Sequence, residues 1–134
     1  MAKEISNNAD LEKVIGDFRL FCGKHLKIKD KKGKIVPFIL NRAQEVVLLV
    51  IERLIQLGLP IRLIVLKARQ KGISTLIEAF IFWRTSYHRN RKAAVIAHEN
   101  DATNNQLSMC NRYYTNLHPD LQVPKKWEDR KSVV

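Results

Sequence analysis

Apolar residues spaced by three and four positions predict that the chain begins with a helix. The pattern follows Asn7 and Asn8, either of which can cap a helix N-terminus. Its members are Leu11, Val14, Ile15, Phe18, Phe21 and Cys22. We expect this apolar stripe to pack against the rest of the protein.

Two short β-prone segments follow at residues 26–29 and 35–38, separated by a turn-forming stretch that ends in Gly33. This arrangement predicts a β-hairpin. Six lysines lie between Lys24 and Lys34. They indicate either an edge that contacts phosphates or a solvated hairpin whose charges prevent aggregation.

The rest of the chain alternates between the patterns of helices and of buried strands. Asn41 can cap a helix that ends near Gly58 and Pro60 and carries on one face Ala43, Val47, Val50, Ile51 and Leu54. Then follow a strand at residues 61–66, a loop at 67–72, a helix at about 74–87, a strand at 93–97 and a helix at about 101–116. This alternation predicts an α/β fold with a parallel sheet flanked by helices.

Three parts are expected along the chain. Residues 1–40 hold the first helix and the basic hairpin, residues 41–120 form the α/β core, and residues 121–134 begin a further segment. A chain of 134 residues with 46% hydrophobic residues can bury a core without disulfides or structural metal. Cys22 and Cys110 form no CxxC pair, so we expect reduced, buried thiols.

Charge narrows the class of partner. The net charge of +11 and a pI near 10 favour a polyanionic binding partner, and nucleic acid is the first candidate. No apolar run is long enough for a signal peptide or a membrane span. We therefore expect a cytoplasmic protein without a membrane partner.

Residues 67–75 have the order of residue types that binds nucleotide phosphates. Such a loop needs a strand before it, inward-pointing amides, and a helix whose N-terminus faces the phosphates. Gly72 takes the last glycine position, and Ser74 takes the hydroxyl position that ligates Mg²⁺. Lys67 replaces the opening glycine and Ile73 replaces the usual lysine. By spacing alone, the stretch also fits an ordinary strand-to-helix turn.

Three runs of sequence closely resemble the ATPase domain of phage terminase large subunits. They are PFILNRAQ at residues 37–44, IVLKARQKGIST at residues 64–75 and AVIAHE at residues 94–99. The similarity covers roughly residues 18–120. It implies a P-loop NTPase fold of the RecA or helicase-like type, and an enzyme that hydrolyses ATP with Mg²⁺.

The resemblance also implies roles for individual residues. Some members of the family place the loop lysine at the opening position, which is Lys67 here, and Lys71 is the alternative. Arg69 resembles the loop arginine that couples the γ-phosphate to hydrolysis, so it is the candidate catalytic residue. Gln44 resembles the glutamine that reads adenine. The candidate nucleotide-binding residues are Gln44, Lys67, Ala68, Arg69, Gln70, Lys71, Gly72, Ile73, Ser74 and Thr75, and Ser74 is also the candidate Mg²⁺ ligand.

The implied function is the ATP-binding part of a phage or prophage motor that packages DNA. Its implied partners are double-stranded DNA, the terminase small subunit, the portal or procapsid, and further copies in a homo-oligomeric ring, all in the host cytoplasm. Glu99 and Asp101 do not lie in the register of a Walker B strand. The resemblance therefore places the Walker B strand and the nuclease domain outside these residues, and we do not expect this chain alone to hydrolyse ATP.

Two alternatives stay open. A helicase-like or restriction-type DNA translocase would share Gln44 and the phosphate loop but would lack the nuclease. A basic nucleic-acid-binding module with a degenerate phosphate loop would bind no nucleotide.

Overall fold

Helices dominate the computed structural model, which describes residues 8–66, 72–88, 90–94, 96 and 100–123. The elements are α1 (Asn8–Gly16), α2 (Phe18–His25), β1 (Lys27–Lys29), β2 (Ile35–Pro37), α3 (Arg42–Gln56), α4 (Ile73–Tyr87), α5 (Asn100–Thr115) and a 3₁₀ turn at Pro119–Leu121. Among these described elements, no helix is both long and apolar enough to cross a membrane.

The single N-terminal helix expected from the sequence is divided into α1 and α2. Asp17 stands between them, and its carboxylate accepts hydrogen bonds from the amides of Arg19 and Leu20. A short polar side chain that bonds the next turn in this way ends one helix and caps another. The prediction of one continuous helix was wrong, although Phe18 and Phe21 of its apolar stripe are buried.

The predicted hairpin is present, with β1 and β2 paired antiparallel. Ile28 lies opposite Val36, and both side chains are half-buried. Lys27 and Lys29 are exposed on the other face, because successive side chains of a strand point to opposite sides. Asp30 organises the turn, where its carboxylate accepts hydrogen bonds from two backbone amides further along.

Asn41 caps α3 as predicted, but only part of the expected face is buried. Ile51 of that face is buried, whereas Val50 is 43% exposed. Gln44 and Leu48 are buried although they were not expected to be. Residues 46–51 are all apolar, so periodicity alone cannot select the face that packs.

Polar contacts also join α3 to α2. The guanidinium of Arg19 bonds the carboxylates of Glu45 and Glu52, with Nε 3.0 Å from Oε1 of Glu52. These bonds raise the pKa of Arg19. Because Glu45 and Glu52 lie seven residues apart, they share one side of the helix, and this side faces Arg19 of α2.

The core is built around α4, which contacts α2, α3 and α5. Trp83 of α4 is buried, and its indole N–H donates to the carbonyl of Ile15 at 2.6 Å, so α1 is fastened to α4. Side chains before and after position 40 share this core. They are Phe18, Phe21, Cys22, Leu26, Phe38, Leu48, Leu76, Ala79, Phe82, Trp83, Tyr113, Leu117 and Leu121. Both thiols are free, that of Cys22 buried and that of Cys110 half-buried.

The predicted parallel sheet is absent from the part of the chain that the structure describes. Residues 61–66 form no strand, and neither do residues 93, 94 and 96 of the second predicted strand. Ile64 and Leu66 are fully exposed. The prediction of an α/β fold of the P-loop NTPase type was therefore wrong for these ranges. Their one sheet is the antiparallel hairpin.

The physical reason is the dependence of a parallel strand on its neighbours. Such a strand needs hydrogen-bonding partners at its edges and packed helices on both faces. The sequence contains only two candidate strands for this sheet, and a two-stranded sheet is at best marginally stable. Meanwhile α4 packs on α5 and α2, and α5 packs on β1, so these helices find apolar contacts without a parallel sheet.

Candidate phosphate site at the start of α4

The N-termini of α3 and α4 meet, and two residues expected in one site are in contact there. The carboxamide of Gln44 donates from Nε2 to the carbonyl oxygen of Gly72 at 2.7 Å. Its Oε1 accepts from the amide of Asn41 at 2.9 Å, and the Asn41 side chain accepts from the amide of Gln44, also at 2.9 Å. This reciprocal capping of α3 therefore extends directly to the start of α4.

Gly72 occupies a position that favours glycine. Its φ of +73° is left-handed, a conformation that strains residues with a Cβ. A Cβ added there would also lie 2.6 Å from Nε2 of Gln44. Gly72 has no side chain to cap α4, and the first turn of that helix carries no acid. The positive end of the helix dipole is therefore without a counter-charge from its own first turn.

The three expected site residues in the first turn of α4 have different surroundings. Ile73 is buried and Thr75 is half-buried, with its hydroxyl 3.9 Å from the sulfur of Met109. Ser74 is exposed, and it lines a largely aliphatic groove of about 620 Å³ formed mainly by α4 and by residues within the 61–65 and 94–96 stretches. Of the three, Ser74 is the residue whose side chain faces outward, as a ligand contact requires.

Five expected site residues, Lys67, Ala68, Arg69, Gln70 and Lys71, lie outside the described residues. Their roles stay predictions. The cations among them directly precede Gly72 in the sequence.

Gln44 is 4% exposed, and both ends of its carboxamide bond backbone groups. An amide has two N–H groups and two lone pairs on its oxygen, so one of each is left for a ligand. Reading adenine stays a prediction for this residue. The contacts in the structure give Gln44 a further task, which is to hold the start of α4 against α3.

Tyr113 of α5 supports the first turn of α4. It is 1% exposed, its hydroxyl donates to the carbonyl of Thr75 at 3.0 Å, and its ring packs against Phe82 with centroids 5.8 Å apart. In the sequence, Tyr114 shares helical spacing with Leu107, Cys110 and Leu117, and this spacing predicts that Tyr114 packs in the core. Tyr114 does pack against the core, but it is only half-buried.

A buried carboxylate that the sequence prediction missed lies one helical turn beyond Ser74. Glu78 is 3% exposed, and the thiol of Cys110 donates to its Oε2 at 3.3 Å. Burial raises the pKa of Glu78, and the bond from the thiol opposes part of that rise. Burial and the nearby carboxylate raise the pKa of Cys110 to about 12. The sequence feature that could have indicated this buried carboxylate is a single acid among the otherwise apolar residues 76–83.

Replacing Glu78 by glutamine is expected to stabilise the protein at pH 7.5. The raised pKa means that the folded state binds the proton more tightly than the unfolded state does. The wild type therefore loses stability as the pH rises from the ordinary value of 4.5 through the folded-state pKa. We expect Glu78→Gln to raise the melting temperature at pH 7.5 by roughly 3–5 °C, equivalent to about 1 kcal/mol, and by much less at pH 4.5.

The matched control is Glu12→Gln, since Glu12 is exposed on α1. The melting temperature of Glu12→Gln should differ from that of the wild type by the same amount at both pH values. A Glu78→Gln protein whose difference from the wild type did not grow between pH 4.5 and pH 7.5 would rule out a raised pKa as the cause.

Within the described ranges, no three histidine, cysteine, aspartate or glutamate side chains gather closely enough to hold a metal ion. Comparison with protein-family models, with curated proteins and with solved structures finds no match to this chain.

Proposed function

We propose that this chain binds ATP at the start of α4 and acts as the nucleotide-binding part of a DNA-packaging motor of the terminase large-subunit type. The contact between Gln44 and Gly72 carries the proposal. These residues are 28 positions apart and belong to two separate runs that resemble that family. A resemblance in two runs gains weight when their key residues lie side by side.

The phosphate chemistry follows from the N-terminus of α4. A helix start whose N-cap residue has no side chain presents backbone amides and the positive end of a dipole, and both attract phosphate. Lys67, Arg69 and Lys71 add positive charge from the segment that leads into Gly72. The carboxylate of Glu45, the acid next to Gln44, is engaged by Arg19 and so repels the anion less.

Ser74 fits the hydroxyl that would ligate Mg²⁺. Its side chain is exposed in the first turn of α4, so it is free to face a bound nucleotide. Magnesium usually keeps several waters and takes few protein ligands beside the phosphate oxygens. A single hydroxyl is therefore a sufficient contribution from this helix. When bound, the metal would neutralise charge on the phosphates.

The remaining parts of the proposed function come from the resemblance. Arg69 is the candidate residue for coupling the γ-phosphate to hydrolysis. Double-stranded DNA is the substrate that the motor translocates. The small subunit, the portal or procapsid and further copies of the chain are the partners of the assembled motor. Acids for a Walker B strand are missing from the expected register, so we expect this chain alone to bind ATP without turning it over.

The proposal is tested by substituting the two candidate phosphate lysines. We expect Lys67→Ala to weaken binding of Mg²⁺-ATP by about tenfold to a hundredfold, because a charge-assisted contact contributes about 1.5–3 kcal/mol. Lys71→Ala should weaken it less. Isothermal titration gives the dissociation constants. The rise in melting temperature with ATP gives an independent check, since a ligand at a hundredfold excess over its Kd stabilises by about 2.7 kcal/mol.

Lys92→Ala provides the control, because Lys92 is exposed and lies 20 residues beyond Gly72. It should bind Mg²⁺-ATP like the wild type. Equal losses for Lys67→Ala and Lys71→Ala would reject Lys67 as the phosphate lysine. No binding by the wild type at millimolar ATP would reject the proposed function itself.

A basic nucleic-acid-binding module is the second candidate. It is favoured by the absence of a parallel sheet from the described residues and by the exposed lysines of the hairpin. Such a module would bind DNA without responding to ATP. The same titration therefore separates the two candidates.

A further inference from the structure

The hairpin carries a concentrated positive charge on a surface that the proposed ATP site does not use. Lys24, at the end of α2, begins a stretch that ends with Lys34 before β2. Six lysines and one aspartate in this stretch leave a charge of +5, out of +11 for the whole chain. All six lysines are exposed, and they are Lys24, Lys27, Lys29, Lys31, Lys32 and Lys34.

Asp30, the acid within this stretch, does not neutralise these lysines through an ion pair. Its carboxylate accepts hydrogen bonds from the backbone amides of Lys32 and Lys34, at 2.9 and 2.8 Å. Among the described residues, the ion pairs of lysine and arginine side chains are those between Arg19 and its two glutamates, and none involves a hairpin lysine. The ammonium groups are therefore available to an external anion.

The hairpin is held firmly to the core. Leu26 and Phe38, at its two ends, are each 1% exposed, and the amide of Phe38 donates to the carbonyl of Leu26 at 3.0 Å. β1 also contacts α5. The lysines are thus presented by a fixed surface and not by a loose tail, which lowers the entropy lost when they bind.

We infer that this lysine surface binds the phosphate backbone of double-stranded DNA without reading its sequence. Lys27 and Lys29 share the outward face of β1, about 7 Å apart, close to the axial rise of two nucleotides along one DNA strand. Lysine acts as a point charge towards phosphate. It lacks a planar group with two parallel donors, such as arginine uses to read the edge of a base. The choice of DNA over other polyanions rests on the proposed function.

The test compares two variants of the whole chain that remove the same charge. The hairpin variant carries Lys27→Gln, Lys29→Gln, Lys31→Gln and Lys32→Gln. The control variant carries Lys13→Gln, Arg53→Gln, Arg91→Gln and Lys92→Gln, at positions that are also exposed. Binding to a 30-base-pair duplex of mixed sequence is followed by fluorescence anisotropy from 50 to 200 mM salt.

We expect the hairpin variant to bind at least tenfold more weakly than the control variant at 100 mM salt. The slope of log K against log salt should become shallower by about 3 in the hairpin variant, since each phosphate contact contributes about 0.9. The control variant should change the slope by less than about 1. If the melting temperature shows that the hairpin variant is unfolded, Lys31→Gln with Lys32→Gln in the turn replaces it, with half the effect expected.

Equal losses in both variants would overturn the inference, because they would show a response to net charge alone. Strong lysine-dependent binding to vesicles of anionic phospholipid with no binding to the duplex would overturn it as well. Titration of the hairpin variant with Mg²⁺-ATP keeps this result separate from the proposed function. Unchanged ATP binding with lost DNA binding supports both, whereas absent ATP binding with lysine-dependent DNA binding supports the hairpin surface alone.

Discussion

Replacing Gly72 by alanine is expected to lower the free energy of unfolding by about 3 kcal/mol. The left-handed backbone costs an alanine about 1–2 kcal/mol, and displacing the Gln44 carboxamide leaves buried polar groups unpaired at about 1–3 kcal/mol. In a domain of this size the melting temperature should fall by roughly 10–15 °C, as measured by thermal denaturation. Under the proposed function, affinity for Mg²⁺-ATP should fall as well, because the first turn of α4 is displaced.

Gly58→Ala separates the two causes. Gly58 also has a positive φ of 68°, but a Cβ added there would meet no atom within 4 Å. This variant should therefore show only the backbone cost. A double variant combines Gly72→Ala with Gln44→Ala, and the shorter side chain at position 44 makes room for the new Cβ. The double variant should therefore lose less stability than the two single variants lose in total. Identical losses in Gly72→Ala and Gly58→Ala would contradict the clash with Gln44.

Replacing Tyr113 by alanine is expected to destabilise the protein by about 3–5 kcal/mol, because it removes a fully buried ring and leaves a cavity between α4 and α5. The protein has a total stability of the order of 5–15 kcal/mol, so this variant should be close to unfolding. Tyr113→Phe keeps the ring and loses the hydrogen bond to the carbonyl of Thr75, for a loss of about 1 kcal/mol. Urea denaturation measures both.

Tyr114→Ala serves as the neighbouring control. Tyr114 is half-buried, so its truncation should cost less than half as much as that of Tyr113. A larger loss at Tyr114 than at Tyr113 would mean that Tyr114 is the main core residue of this pair, as its spacing in the sequence predicts.

Around the candidate site, features that depend on near neighbours could be predicted from the sequence, whereas contacts made across the fold could not. The runs around Gln44 and Gly72 were both recognised in the sequence. Their direct contact was not foreseen, because a hydrogen bond over 28 positions depends on how two helices pack. The contact between Glu78 and Cys110 was also missed, and the reason is the same. They come from different helices and meet only when α4 and α5 pack together.

The sequence by itself determined the elements that rest on interactions between near neighbours. Asn41 starts α3 by bonding within its own first turn, Asp30 shapes the hairpin turn, and Gly72 starts α4 because a left-handed N-cap suits glycine. Such contacts close over a few residues, so the residue types in one stretch are enough to specify them.

Only the tertiary structure decided which faces are buried and which extended segments pair. Residues 61–66 have the composition of a buried strand, yet Ile64 and Leu66 stand fully exposed. A strand gains its hydrogen bonds from a partner, so an apolar run specifies a strand only where another segment lies beside it. In the same way, α3 is apolar on several sides, and only its packing in the folded protein shows which side is buried.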